Sequence, residues 1–362
     1  MKYFTLKEAA TYLGKSVITL KRWKKSGKLI PEKTGITHSQ FGPRLVSFFS
    51  EYQLRLVSLG EALLDSFEVE KFQENISLEK FVSCNDKLTK TVFSLSAEEY
   101  FDVLQKGISI AVTETILRGK KIQTHFTLNG GGFAALKGPL NEYDRAIFDV
   151  CNSAREANFI GITRDSLFRI LTGGKNKNTR PTPNQAIAIF ESLKRLMTVI
   201  EIDFSHTREK MPKYKDIPDK IISPILPCRI LHNVLFNGQR TTLVRFTDES
   251  PLMKIARTKK QIINYSVSLR DITNQNNTPL VIMIKSYVIR RVLEIVLHKM
   301  TPTITFDDLF KHCDLINANR WQKQDTRKIV LGVMENLKSE GTIKSFELIK
   351  KDGSFYGISI SF

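Results

Sequence analysis

The sequence has little of what marks membrane, secreted or fibrous proteins. Its longest unbroken apolar run is Leu280–Ile284, whereas a membrane-spanning helix needs about 20 largely apolar residues. The N-terminus lacks the basic flank, the apolar stretch and the small-residue cleavage site of a secretory signal. Gly (19) and Pro (12) are not elevated in a chain of 362 residues, which argues against collagen-like and low-complexity proteins. We therefore expect a cytoplasmic protein with no membrane partner.

Cysteine is also sparse. The four cysteines stand at 84, 151, 228 and 313 with no CxxC spacing, and no histidine is placed relative to them as in a zinc finger. Thiols in this pattern are expected to be buried in a protein of a reducing compartment. The sequence predicts no metal site and no cofactor.

Two enzyme motifs that DNA-processing proteins use are missing. Rolling-circle initiators and relaxases hold a metal with two histidines that flank one apolar residue, and no two of the six histidines are that close. A P-loop needs a glycine five residues before its Gly-Lys-Ser, and Gly14-Lys15-Ser16 has Ala9 at that place. We therefore predict no catalytic residues and no enzymatic activity.

What the sequence has in excess is positive charge. Lys and Arg number 55 against 37 Asp and Glu, which gives a formal net charge of +18 and a pI near 9.7. Residues 1–33 carry 9 basic and 2 acidic side chains, residues 34–115 carry 7 and 12, and residues 116–362 carry 39 and 23. A basic head and a basic body indicate a polyanionic partner, and nucleic acid is the commonest one.

The first 33 residues have the pattern of two short helices joined by a glycine turn. Thr5-Leu6-Lys7-Glu8 is a capping box that opens the first helix, Gly14 ends it, and Ser16 can cap the second. Leu20 and Trp23 are expected to face back onto the first helix, as in a helix-turn-helix. The opposite arc is basic and suits a phosphate-lined groove. Its predicted DNA contacts are Ser16, Lys21, Arg22, Lys25 and Lys28.

The stretch TLKEAATYLGKSVITLKRWKKSGKLIP resembles the helix-turn-helix of the MerR and excisionase-like families. The Gly-x-Ser turn, the Thr-Leu-x-Arg-Trp run and the Gly-Lys-Leu-x-Pro exit carry this resemblance, and Lys15 departs from it. The alternative is a two-helix packing unit whose lysines are only solvated. A solvated face normally mixes charges of both signs, so the one-sided charge favours DNA binding.

The acidic stretch between head and body gives weaker signals. Residues 34–44 combine Gly, Pro and polar residues without periodicity, which predicts a linker. Residues 45–136 are predicted to be mostly helical, with helices over Leu45–Phe72 and from a capping box at Ser96. Their apolar stripes are interpreted as core, with a partner or dimerisation helix as the alternative. A strand-like KIQTHFTLN then precedes Gly130–Gly132, which we interpret as a hinge.

Two stretches of the body share one order of predicted elements. The first has helices over Asn141–Cys151, Thr163–Leu171 and Asn184–Met197, followed by the strand TVIEIDF. The second has a helix over Tyr287–Met300, a short helix opening at Thr305, a basic third helix and a hairpin. This is the order of a winged helix, in which the third helix enters the major groove and the hairpin reaches the flanking backbone.

Hairpin turns are signalled by Asp352-Gly353 in the second module and by Asn237-Gly238, which would join a hairpin to the sheet of the first module. In the second module Val330, Val333 and Leu337 are predicted to face inward. The predicted DNA contacts of the first module are Lys175, Lys177, Arg180, Asn184 and Gln185. Those of the second module are Arg320, Lys323, Gln324, Arg327 and Lys328 on the third helix, with Lys350 and Lys351 on the hairpin.

From residue 137 to the C-terminus, the order and spacing resemble the tandem winged helices of replication initiator proteins of plasmids and related mobile elements. The connection carries part of this resemblance, with IARTKKQI followed by an apolar strand that runs into SYVIRRV. The resemblance implies binding of double-stranded DNA at repeated origin sites and opening of an A+T-rich stretch. It leaves a host helicase or helicase loader and a homodimer as candidate further partners.

The predicted fold class is α+β, mainly α, with an N-terminal helix-turn-helix and two tandem winged-helix domains. The predicted bounds are 1–33 for the helix-turn-helix, 34–44 for the linker, 45–136 for the acidic region, 137–250 for the first winged helix, 251–286 for the connection and 287–362 for the second winged helix. The rival function is a transcriptional regulator or recombination accessory factor. Both functions need base contacts from helices and phosphate contacts from lysines, so the sequence does not separate them.

Overall fold

The structure is a computed structural model. It describes residues 3–25, 29, 33–39, 42–51, 54, 78, 80–94, 111–117, 120–128, 139–173, 179–203, 220–236, 239–271 and 277–362. The described part of the chain is mixed α/β, with ten α-helices and several small sheets. It divides into two compact units, residues 1–74 with 230–243, and residues 75–229 with 244–362.

The first unit begins with two short helices and a three-stranded sheet. Its elements are β1 (Tyr3–Thr5), α1 (Leu6–Tyr12), α2 (Val17–Lys25), β2 (Lys33–Ser39) and β3 (Gly42–Ser50). All neighbours in the sheet are antiparallel, and the strand order is β1-β3-β2. The predicted linker over 34–44 is therefore wrong, because most of it forms the β2–β3 hairpin. The predicted helix from Leu45 is also wrong at its start, because that residue lies in β3.

The second unit begins with four elements, of which the sequence predicted one. They are β4 (Lys80–Cys84), α3 (Lys87–Val92), β5 (Ala111–Leu117) and β6 (Lys120–Leu128). The described residues of the acidic region are mostly strand, where the sequence predicted mostly helix, and the remainder of that region lies outside the described residues. The strand over KIQTHFTLN is confirmed as β6. The predicted capping box at Ser96 and hinge at Gly130–Gly132 lie outside the described residues.

Two helix–strand modules follow, with a connection between them. The first module comprises α4 (Glu142–Glu156), β7 (Gly161–Thr163), α5 (Arg164–Leu171), α6 (Pro183–Leu196), β8 (Val199–Asp203) and β9 (Lys220–Pro224). β10 (Cys228–Phe236) and β11 (Gln239–Phe246) follow within the predicted bounds of the first module, and the connection contains α7 (Pro251–Thr258) and β12 (Ile262–Ser266). The second module comprises α8 (Pro279–His298), β13 (Thr303–Thr305), α9 (Phe306–His312), α10 (Arg320–Ser339), β14 (Ser345–Lys351) and β15 (Ser354–Ser361).

The sheets join strands that are far apart in the chain. β8 and β9 pair in a sheet of order β5-β6-β8-β9, and β7 belongs to the sheet β10-β11-β7. β10 and β11 flank the predicted turn Asn237-Gly238, whose own residues lie outside the described part. β4 pairs with β12, with Cys84 opposite Ile262. In the second module the order is β13-β15-β14, and both pairs are antiparallel.

The helix α8 begins earlier than the sequence predicted. Thr278 caps its N-terminus by accepting a hydrogen bond from the amide of Val281, and Pro279 occupies the first turn. Proline is favoured there because its missing N–H would have no intrahelical partner. The expected apolar strand before SYVIRRV is therefore wrong. Its residues are buried in a helix, where a continuous apolar run cannot be told from a strand by periodicity alone.

The same threonine N-cap occurs at three places in the described part of the chain. Thr5, Thr163 and Thr305 each end a short strand and cap the helix that follows, with the threonine hydroxyl accepting a backbone N–H three residues on. Two helices and two strands follow each threonine in chain order. The described residues therefore form three segments of the order strand, helix, helix, strand, strand, of which the sequence predicted only parts.

The core of the second unit surrounds α4. Residues 142–154 are all buried because α4 packs against β4 and α6 as well as α8. Its apolar side chains include Ile147 and Phe148, as the sequence predicted, but its polar side chains are buried too. The four cysteines are buried free thiols, which confirms their predicted location. No helix in the described part of the chain has both the length and the apolar character that crossing a membrane would require.

Candidate nucleic-acid interface

The helix α2 has one buried and one exposed face. Leu20 and Trp23 are buried against Ala9 and Ala10 of α1 and Phe49 of β3, in a single apolar cluster. This confirms the predicted inward residues. The cluster fixes which side of α2 faces solvent, because Leu20 and Trp23 are both buried in it.

The exposed face of α2 carries predicted contacts. Lys21 and Arg22 are exposed, as is the neighbouring Ile18. The amide of Thr19 donates to the Ser16 hydroxyl at 3.1 Å, so Ser16 is the N-cap of α2 rather than a free contact. Lys25 lies in α2, but its side chain is outside the description, as is the whole of Lys28. Of the basic contacts predicted on this helix, Lys21 and Arg22 are the ones whose side chains the structure describes, and both are exposed.

In the first module, the predicted contacts cluster before and at the start of α6. Arg180 and Asn184 are exposed, and the Arg180 Nε lies 4.0 Å from the Asp165 carboxylate. Gln185 accepts from the backbone amide of Thr182 at 2.8 Å and donates to the Asn277 carbonyl at 2.7 Å. Its amide is committed within the protein, so we remove Gln185 from the candidate contacts. Lys175 and Lys177 lie outside the described residues.

The helix α10 of the second module has a predicted buried stripe and a polar outer face. Val330, Val333 and Leu337 are buried, which confirms their predicted direction. Arg320, Gln324 and Lys328 are exposed. Asn319 caps the helix in a capping box with Gln322, and Lys328 pairs with Asp325 at 3.2 Å on the surface.

Two predicted contacts on α10 are only half exposed, which corrects the expectation that they point outward. The Lys323 Nζ lies 5.4 Å from the ring centre of Phe310. The Arg327 guanidinium lies 5.5 Å from the ring of Phe306 and 5.3 Å from that of Phe355. Both stems cover apolar surface because α10 packs beside α9 and β15, and a cation over an aromatic face is attracted to it.

The β14–β15 hairpin presents two exposed lysines beside its turn. Asp352 and Gly353 have φ of 52° and 75°, which is the left-handed pair that a two-residue hairpin turn requires. The predicted turn is therefore confirmed. Lys350 and Lys351 are exposed, with Nζ atoms 5.2 Å from the ring of Phe355 and 5.8 Å from that of Tyr356, respectively.

Sequence reasoning missed the exposed aromatic side chains of α10 and β15. Trp321 is 75% exposed, Phe355 38% and Tyr356 40%. A signal was available: at about 100° per residue, Trp321 lies opposite the buried stripe that contains Val330. The rings are also interleaved with basic residues, in RWQKQ and KKDGSFY.

A separate polar cleft of about 310 Å³ lies among α3, α4, α8 and α9. Arg290 donates to both carboxylate oxygens of Glu142 at 2.6 Å. Burial alone would raise the pKa of Glu142, but the Arg290 and Arg145 charges outweigh it and lower that pKa. His312 stacks on Tyr287 with ring centres 4.9 Å apart, and burial lowers its pKa. None of the predicted contacts lies here.

Within the described residues, no group of three or more His, Cys, Asp or Glu side chains is arranged to hold a metal ion. Comparisons of the chain with models of protein families, with curated proteins and with solved structures found no match.

Proposed function

We propose that this chain is a sequence-specific double-stranded DNA-binding protein that initiates replication at repeated sites of a plasmid or mobile element. The observation that carries the proposal is the second module, whose basic helix α10 and basic hairpin β14–β15 lie beside each other. A helix fits the major groove of B-DNA, which is about 12 Å wide. Lysines on an adjacent hairpin can then reach the flanking phosphates.

The order of elements in the second module supports the winged-helix part of the proposal. A helix, a short strand, two helices and a hairpin follow one another, and the short strand joins the hairpin in the order β13-β15-β14. In that arrangement α10 is the candidate recognition helix. Arg320, Gln324 and Lys328 are its exposed candidates for base or phosphate contacts.

The head and the first module support the same proposal to different degrees. The head has the strand order β1-β3-β2, which matches that of the second module, so its hairpin β2–β3 is a candidate third wing. The first module has the same chain order as the second, but its short strand β7 pairs in the sheet of β11. Its helix α6 is the candidate recognition element, with Asn184 exposed at its start.

A rigid connection between the two modules would suit repeated sites. The buried pair Glu142–Arg290 joins α4 of the first module to α8 of the second. Two recognition helices held at a fixed distance read two sites at a fixed spacing along the duplex. We therefore expect the two modules to bind one continuous stretch of DNA.

Selection of binding sequences from a random duplex pool tests the DNA-binding part of the proposal. We expect a consensus with two blocks at constant spacing, and an affinity that falls steeply with salt. Initiation is tested next, by permanganate reactivity of thymines in an A+T-rich tract placed beside repeats of the selected site. Reactivity that rises with protein supports an initiator, whereas specific binding without opening supports the regulator or accessory factor. Failure to select any sequence would refute the proposal.

A further inference from the structure

Exposed aromatic side chains of the second module lie next to basic side chains. Trp321 is the most exposed large apolar side chain of the described residues. Large rings in water are tolerated singly, but several of them on the two elements that carry the candidate DNA contacts, α10 and the β14–β15 hairpin, indicate a binding role. Phe355 and Tyr356 are consecutive on β15, and Arg327 of α10 lies against the Phe355 ring. We call Trp321, Phe355 and Tyr356 the aromatic surface.

The hairpin geometry contributes to the exposure of these rings. Ile349 is opposite Gly357 and Lys350 is opposite Phe355, so Tyr356 is the extra residue of a β-bulge in β15. A bulge changes the direction of a side chain and increases the local twist. Both rings thereby remain about two-fifths exposed, at 38% and 40%, within a paired strand.

The charges around the aromatic surface indicate the chemistry of its ligand. Lys350 and Arg327 flank Phe355, and Lys351 accompanies Tyr356. A ligand with flat apolar groups spaced along a negatively charged backbone would satisfy both features. Unpaired nucleic-acid bases stack on aromatic rings while their phosphates pair with neighbouring lysines. In a duplex, by contrast, the base faces are covered by their neighbours.

We propose that the aromatic surface binds single-stranded DNA by stacking of unpaired bases on Trp321, Phe355 and Tyr356. This inference rests on the proposed function, because opening of a duplex is what supplies single strands beside the binding site. It gives the second module a role after duplex recognition, in which the same hairpin holds one separated strand.

The test uses the full-length protein and a 20-nucleotide oligo(dT), followed by fluorescence. The chain has two tryptophans, and Trp23 is buried, at 3% exposed. Stacking of a base on Trp321 should therefore quench the exposed component of the emission. Trp321→Phe should abolish the quenching and keep the affinity, measured by anisotropy of labelled oligo(dT), within about threefold.

Substitutions by leucine separate stacking from simple apolarity. Trp321→Leu and Tyr356→Leu should each weaken oligo(dT) binding about tenfold, since one stacked base contributes an affinity factor of that order. The matched control is Phe362→Leu, because this ring is 41% exposed on the residue after the far end of β15. That variant should bind as the wild type does.

A 20-base-pair random duplex and an oligo(rU) of equal length complete the experiment. The leucine variants should change duplex affinity by less than about twofold. An equal loss on duplex and on oligo(dT), or no loss on either, would overturn the inference while duplex binding by the wild type still stands. Tighter binding of oligo(rU) than of oligo(dT) would also overturn it. Failure of the wild type to bind any duplex would instead refute the proposed function.

Discussion

At the residue scale, the charges buried on α4 are each met by a partner from another element. Glu142 is paired with Arg290, Asp144 accepts two hydrogen bonds from Arg195 at 2.7 and 2.9 Å, and Arg145 donates to the Cys84 carbonyl at 2.7 Å. A buried charge without its partner is costly because it has lost its hydration. The interior of the second unit therefore depends on the exact pairing of a few ions.

Glu142→Gln should strongly destabilise the protein. It leaves Arg290 buried without its counter-ion, which we expect to lower the free energy of unfolding by about 3–5 kcal/mol. The matched control is Asp325→Asn in the exposed pair with Lys328, with an expected effect within about 1 kcal/mol. Urea unfolding at neutral pH measures both, and equal effects would contradict the structural importance of the buried pair.

The same variant predicts a dependence on pH. Folding lowers the pKa of Glu142 below its ordinary value of 4.5, so the folded protein binds fewer protons there than the unfolded chain. The stability that ionised Glu142 contributes is therefore complete above pH 4.5, and it is lost as the pH falls through the pKa that Glu142 has in the folded protein. The difference in stability between wild type and Glu142→Gln should narrow in that acidic range. A constant difference down to pH 3 would contradict an ionised Glu142.

The two faces of α2 should respond differently to substitution. Trp23→Ala removes a large buried aromatic side chain and should cost about 3–5 kcal/mol of stability. The triple change of Lys21, Arg22 and Lys25 to glutamine alters no buried group among the described side chains, so the melting temperature should hold while DNA affinity falls. Calorimetry and a binding titration measure the two effects, and equal destabilisation would refute the two-face interpretation.

At the scale of elements, α10 and the β14–β15 hairpin form one surface. Arg327 of the helix and Lys350 of the hairpin both lie over the ring of Phe355. A cation that lies over an aromatic ring between a helix and a hairpin stabilises the packing of the two elements. Arg327 is half-buried whereas Lys350 is exposed, so we expect Arg327 to contribute mainly to packing and Lys350 mainly to DNA binding.

Arg327→Ala should destabilise the second module by about 1 kcal/mol, because its guanidinium contacts two aromatic rings. Arg320→Ala, at an exposed position of the same helix, should leave stability unchanged. If Arg320 makes a bidentate guanine contact, its loss should relax the preference at one base position by about 1–3 kcal/mol. An unchanged unfolding midpoint in Arg327→Ala would mean that this side chain is free to reach a base, as the sequence alone predicts.

Removing both hairpin lysines should weaken binding to every sequence alike. Lys350 and Lys351 are exposed, so the double alanine variant should fold normally and lower the slope of log affinity against log salt by about one to two. Affinity for the selected site and for scrambled DNA at several salt concentrations measures this. An unchanged slope would mean that the hairpin does not touch the backbone.

At the scale of the whole molecule, the basic charge is divided between a small head and a large body. Residues 116–362 carry 39 basic and 23 acidic side chains, against 9 and 2 in residues 1–33. A deletion of residues 1–44 would cut through β3, which spans Gly42–Ser50. The contribution of the head to DNA affinity is therefore measured better in the full-length chain.

The triple glutamine variant of α2 should retain specific binding. Loss of three phosphate contacts would reduce the salt slope by at most about three, and the body should still distinguish its site from scrambled DNA. The Lys350/Lys351 variant is the comparison at the other end of the chain. Complete loss of specific binding in the triple variant would place recognition in the head alone and contradict the assignment to the body.

The sequence by itself determined the elements whose signals are local. The capping box of Thr5 and Glu8, the cap at Thr305 and the turn at Asp352-Gly353 all formed as predicted. Trp23 faced inward as its helical spacing required. Each of these depends on hydrogen bonds or periodicity within a few residues, so the chain specifies them before any long-range contact forms.

Tertiary structure alone decided the features that need a distant partner. The β2–β3 hairpin carries glycine and proline and has no clear alternation, so its pairing with β1 and the burial of Phe49 define it. The polar face of α4 looks solvated in sequence but is buried because Arg290 and Arg195 reach it from elsewhere. Periodicity predicts which side of an element is apolar. Only the fold determines which residues stabilise the other side.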